Sequence, residues 1–150
     1  MTETEKIIIY SEQLYTSKRQ CEIVTILGSC VSICLYDSVN HIGGMNHYLL
    51  PLWNGDGLQS LRFGNISNER LLQDMLRKGA DHRYLQAKIF GGAVINISNA
   101  VSVGDRNVLV AKDFLQKNGI PIVAEDVGGK RGRKIIFDTS NGDVYVKYSK

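Results

Sequence analysis

Two apolar, β-branched runs separated by one glycine break constrain this chain more than any other feature. Residues 21–27 read C-E-I-V-T-I-L and residues 31–36 read V-S-I-C-L-Y, with Gly28, Ser29 and Cys30 between them. Both runs have strand composition, and Val31, Ile33 and Leu35 fall on one face at the two-residue period. A glycine at such a break relieves the steric cost of an unusual turn. Turns of this kind present a side chain or backbone N–H groups outward. The turn residues D-S-V-N-H over 37–41 and a third run over 42–50, closed by Pro51, make a hairpin the expected continuation.

The rest of the chain alternates between the two periodicities. Residues 6–10 read as a strand, 11–20 as a polar loop and 53–68 as a long glycine-containing loop. Asn68 is placed to cap a helix running to about Lys78, with Leu71, Leu72, Met75 and Leu76 as its buried stripe and Gly79 as its stop. Residues 87–90 form a strand entering Gly91 and Gly92. Asp105 is placed to cap a second helix whose inner face carries Val108, Ala111 and Leu115, ended by Gly119 and Pro121. Residues 122–124 make a short strand and 127–132 a glycine-rich basic loop. Residues 134–139 and 143–148 flank Asn141-Gly142, a hairpin signal. The order strands, helix, strand, helix, strands, with hairpins at both ends, points to an α+β domain with mixed or antiparallel sheets rather than repeated βαβ units. No repeat or linker divides residues 1–150, so one domain is expected.

Composition narrows the class. The chain carries 18 Lys and Arg against 15 Asp and Glu, for a net charge of +3. That mild excess suits an acidic protein surface at least as well as nucleic acid, and with no interleaved aromatic and basic pattern to support base stacking, no nucleic-acid partner is expected. No apolar run has the length of a membrane span or a signal-peptide core, so no membrane insertion and a cytoplasmic location are expected. Three cysteines without a spaced framework fit reduced thiols.

Cys21 and Cys34 lie inside apolar runs and read as small buried hydrophobes. Cys30, beside the glycine break, stands open between that reading and a nucleophile. A thiol nucleophile needs a base. His41 and His82 sit among turn and charged residues. His47 lies within the strand of residues 42–50, and pairing about the 37–41 turn allows it to approach Cys30; a purely structural histidine is the competing reading. No metal-ligand spacing and no phosphate-binding glycine loop are present, so neither metal nor organic cofactor is expected.

These residues carry a resemblance. The segments L-G-S-C-V at 27–31, C-L-Y-D at 34–37, G-G-M-N-H-Y-L-L-P at 43–51, K-I-F-G-G-A at 88–93, V-G-D-R-N at 103–107 and G-I-P-I-V-A-E-D-V-G-G at 119–129 occur in order. With R-G-R at 131–133 and F-D-T at 137–139, they resemble the bacterial chemoreceptor glutamine deamidases, the CheD family. The resemblance implies a three-layer α/β/β sandwich that converts particular receptor glutamines to glutamates with release of ammonia. It implies Cys30 as nucleophile and His47 as general base. It implies a threonine shortly before the cysteine as the third site residue. Thr25 is the match, five residues before Cys30, where family members place the threonine six before, the position of Val24 here. The Cys30 backbone N–H in the turn is the oxyanion candidate, with Gly28, Ser29, Phe90, Gly91 and Gly92 as further oxyanion or substrate-binding candidates. The implied partners are the cytoplasmic helices of methyl-accepting chemoreceptors and a CheC-type chemotaxis phosphatase. Two other classes compete: a regulatory binding module for that phosphatase, and a Cys–His enzyme with another outcome, such as peptide cleavage or amine transfer.

Overall fold

The computed structural model describes residues 4–94 and 102–150. Two mixed sheets form. The first has the order β1 (Glu5–Ile8), β3 (Cys21–Leu27), β8 (Arg133–Asp138), β9 (Val144–Tyr148). The second has the order β2 (Gln13–Ser17), β5 (Ile42–His47), β4 (Val31–Asp37), β6 (Leu85–Gly91), β7 (Ile122–Val127). Among the described strands, β1–β3 and β6–β7 pair in parallel and the other pairs are antiparallel.

Strand β4 shows why the layers stack as they do. All seven of its residues are buried, so both of its faces must be covered. Val31, Ile33 and Leu35 pack with Leu71, Leu72 and Met75 of α1 (Gly64–Arg77) and Ala111 and Leu115 of α2 (Val103–Lys117). Cys34 and Tyr36, on the other face, pack with Ile23, Leu27, Ile135 and Phe137 of the first sheet. The result is helices over sheet over sheet, the three-layer α/β/β sandwich. Each large side chain in these two cores contributes roughly 1.5–3 kcal/mol by leaving water.

Several local expectations are corrected. Residues 11–20 are not all loop: residues 13–17 form β2, paired in register with β5. Leu14 packs into the helix-side core and Tyr15 into the inter-sheet core, so the two apolar residues are adjacent rather than alternating. Helix α1 begins at Gly64, inside the expected loop, and Asn68 is not its cap. Phe63 holds the cap position without a side-chain bond. The first N–H groups donate instead to loop carbonyls, Gly64 to Leu50 at 2.8 Å and Asn65 to Pro51 at 3.3 Å. Asn68 turns inward, and its Oδ1 accepts from Asn46 Nδ2 at 2.8 Å. Leu76 is 41% exposed and falls outside the buried stripe. The cap of α2 is Ser102, whose hydroxyl accepts from Asp105 N–H at 3.0 Å; Asp105 is first-turn acid rather than cap. The edge strand β7 continues to Val127, three residues past the expected end.

Candidate active site

The β4–β5 hairpin places the candidate dyad. Cys34 pairs with Met45, and an isolated bridge joins Val31 to Tyr48 in the same register. That register sets Ser32 across from His47 and Cys30 across from Leu49. Cys30 and His47 are therefore diagonal neighbours on one face of adjacent strands, an arrangement within reach of side chains. The ladder opens between these pairs. Asn46 turns its Oδ1 to the Ile33 N–H at 2.8 Å and gives Nδ2 to Ser67 Oγ at 2.9 Å.

The shared face is the one turned to the first sheet, and Thr25 enters from there. On β3, Ile23, Thr25 and Leu27 point inward, while Ile26 is 70% exposed. Thr25 Oγ1 lies 2.7 Å from His47 Nδ1 and 2.8 Å from the Ile9 carbonyl. A carbonyl only accepts, so the single hydroxyl proton goes to Ile9. Toward His47 the oxygen is then the acceptor, which requires the proton on Nδ1. Nε2 keeps its lone pair. Val24, at the other parity, cannot share this face; in this chain the hydroxyl five residues before Cys30 meets the histidine.

Electrostatics follow from burial. His47 is 5% exposed, and desolvation of the imidazolium lowers its pKa from 6.5 to about 4. Cys30 is partly exposed, and burial raises its thiol above the ordinary value, opposed by its own backbone N–H. Burial thus disfavours the charged form of each group, the thiolate and the imidazolium alike. Cys21 and Cys34 are buried, and Cys34 is held fully protonated by desolvation. His41 and His82 are exposed and bond to Tyr36 Oη and the Asn118 carbonyl.

The glycine candidates support the Cys30 turn. Gly92 N–H donates to the Cys30 carbonyl at 2.9 Å, and Ala93 N–H to the Gly28 carbonyl at 3.0 Å. The Gly92 donor is thus already spent and does not face a substrate oxyanion. Gly91 has φ of +106°, and a Cβ there would lie 2.1 Å from the Cys30 carbonyl oxygen. Only glycine permits that approach. Phe90, paired with Ser32, is buried in the inter-sheet core. Ser29 is tied through its carbonyl to Asn107 Nδ2 at 3.0 Å. Among the described residues no backbone or side-chain acceptor other than its own sulfur meets the Cys30 N–H.

Sequence reasoning missed three contributors. Ser32 is fully buried opposite His47, with no hydrogen-bond partner for its Oγ. Asn107 reaches both strand ends of the site. Arg133, 2% exposed, bonds the Asp126 carbonyl and carboxylate and the Gly128 carbonyl. It fixes the basic loop, whose Gly128 N–H donates to Gly91 at 2.9 Å. Asn107 and Arg133 both lie within matched segments, which gave a signal but not these partners. Among the described residues no cluster of His, Cys, Asp and Glu suits a metal ion, and no helix is long and apolar enough to cross a membrane.

Comparison with known proteins adds to this geometry. Residues 49–148 match the family model described as CheD chemotactic sensory transduction. A protein of Sulfurimonas denitrificans named probable chemoreceptor glutamine deamidase CheD is 48% identical over 97% of this chain and 96% of its own length. One of the same name from Trichlorobacter lovleyi is 44% identical, over 94% of this chain and 89% of that protein. A third, from Anaeromyxobacter dehalogenans, is 41% identical over 95% and 84%.

Proposed function

The chain belongs to the CheD family, and from that premise we propose that it deamidates glutamine side chains of chemoreceptors through Cys30 and His47, with Thr25 orienting the imidazole. The observation that carries the reading is the Thr25–His47 contact beside Cys30. It leaves Nε2 unprotonated on the face that Cys30 shares.

The chemistry follows. As Cys30 Sγ attacks the glutamine side-chain amide carbon, His47 Nε2 takes the thiol proton. The tetrahedral oxyanion is met by the Cys30 N–H. On collapse the C–N bond breaks, and His47 returns the proton to the departing ammonia. Water then attacks the thioester, with His47 as base, and releases glutamate and the free thiol. A neutral imidazole is the form this first step needs, and its low pKa keeps it neutral across the physiological range.

The substrate is a receptor helix, so recognition falls to the rim. The basic loop is tied through the Gly128 N–H to Gly91, which backs Cys30, and its exposed Lys130 and Arg131 suit acidic receptor residues. The expected setting is the cytoplasm. A CheC-type phosphatase is the further partner implied by the family resemblance, and co-purification of the two tests it.

The decisive experiment is intact-mass and peptide analysis of chemoreceptor cytoplasmic fragments incubated with wild type, Cys30→Ala and His47→Ala. Wild type adds about one dalton at each converted glutamine, and both variants, folded, add none. Turnover by either clean variant rejects the dyad. Peptide cleavage or amine transfer in place of that mass gain rejects deamidation.

A further inference from the structure

Asn107 sits on α2, on the helix side of the second sheet, and is fully buried. Its Nδ2 carries two hydrogens and uses both: one goes to the Ser29 carbonyl at 3.0 Å, the other to the Leu49 carbonyl at 2.9 Å. Ser29 precedes Cys30, and Leu49 lies across from Cys30 in the β4–β5 register. The backbone carbonyl of Asn107 accepts from Tyr48 Oη at 2.6 Å, next to His47. One residue of α2 thus binds the strand ends on both sides of the candidate dyad.

The peptide between Ser29 and Cys30 is planar, and its C=O and N–H point in opposite directions. Holding the Ser29 oxygen toward α2 aims the Cys30 N–H away from α2, where it lies against Cys30 Sγ. Asn107 Oδ1, in contrast, is buried without a partner. The amide is thus held through its nitrogen alone. Its geometry, two donors on one short planar group, is what the site uses.

We propose that Asn107 is a positioning residue that sets the direction of the Cys30 N–H and the seat of His47 for reaction at Cys30. This rests on the nucleophile reading of Cys30 given above. Asn107 touches no reacting atom; it acts through two backbone carbonyls.

The test compares wild type with Asn107→Asp, which keeps the shape but loses both donors, and Asn107→Leu. Asp37→Ala is the control, since it loses turn bonds at the far end of β4. Three readouts are taken on each: melting temperature, kcat and KM on a chemoreceptor cytoplasmic fragment, and the pH dependence of Cys30 alkylation by iodoacetamide. Alkylation attacks no carbonyl, so it reports thiolate formation alone. Both Asn107 variants are expected to lose about 10- to 100-fold in kcat, to keep KM within about twofold and to move the alkylation midpoint upward. Asp37→Ala is expected to melt lower without moving the alkylation midpoint. Should Asn107→Leu not fold, Asn107→Ser, which keeps one donor, is expected to fall between wild type and Asn107→Asp. Folded Asn107 variants with wild-type kcat and alkylation profile overturn the proposal. So does the same alkylation shift in Asp37→Ala. Full turnover by Cys30→Ala removes the nucleophile reading itself. An inactive Cys30→Ala beside fully active Asn107 variants removes only the positioning role.

Discussion

Thr25 Oγ1 stands 2.7 Å from His47 Nδ1 while its proton is committed to the Ile9 carbonyl. The hydroxyl therefore reads out the tautomer: it accepts from Nδ1–H and leaves Nε2 bare. This bond crosses from one sheet to the other, since Thr25 belongs to β3 and His47 to β5.

Replacing Thr25 should release the imidazole without emptying the site. Thr25→Ala is expected to lower kcat about 10- to 100-fold through misplacement of the base. Thr25→Ser, which keeps the oxygen, is expected to stay within severalfold of wild type. Steady-state kinetics on a receptor fragment check the pair; equal losses in both would argue against the hydrogen bond.

The pH dependence follows from the burial of His47. Its folded pKa lies below its unfolded value, about 4 against 6.5. As pH falls through 6.5 the unfolded chain binds a proton that the folded chain refuses, so stability is lost between pH 6.5 and 4 and is fully present above. The contribution is at most about 3 kcal/mol. The acid limb of kcat/KM is expected near pH 4 rather than near 6.5. Denaturant titrations across that window and a pH–rate profile measure the two effects, and His47→Gln should flatten the stability slope.

Gly91→Ala tests the close approach behind Cys30. A methyl group there meets the Cys30 carbonyl oxygen at 2.1 Å on a backbone with φ of +106°. The expected outcome is destabilisation of at least about 3 kcal/mol with loss of turnover. Thermal melting and activity, measured together, decide it.

Arg133→Leu probes the clamp on the basic loop. The buried guanidinium bonds Asp126 and Gly128, and its carbon lies 5.5 Å from the centre of the Tyr148 ring. Removing it takes a donor from two carbonyls and from one oxygen of the Asp126 carboxylate, whose other oxygen keeps Tyr148 Oη, at an expected cost of about 2–4 kcal/mol. Asp126→Asn, which keeps a polar partner on a part-exposed side chain, should cost less than half as much. Urea unfolding of the two variants gives the comparison.

Much of this was legible from residue pattern. The strands at 21–27 and 31–36 declare themselves because both are β-branched and interrupted by Gly28, and Asp37, read as turn, extends the second by one residue. The hairpin about Asn141-Gly142 forms as expected, with Gly142 at φ of +84°. The resemblance singled out Cys30, His47 and Thr25, and the fold brings Thr25 to His47. Strand β2 was not legible, because it is covered on both sides and its polar edge residues hide the period. The start of α1 was not legible because its free N–H groups are met by the Leu50 and Pro51 carbonyls, which leave no capping residue to recognise. Asn107 could be seen only as part of a matched segment. Its partners, Ser29 and Leu49, lie 78 and 58 residues away along the chain.

Thr25 reaches His47 only when the two sheets are stacked. A chain with both sheets formed but not yet docked would hold an untethered imidazole and a thiol with no aligned base. Under the proposed mechanism, base assistance at Cys30 therefore awaits the docking of one sheet on the other. On that reading the candidate site is completed by the meeting of the two sheets, not by the formation of either one.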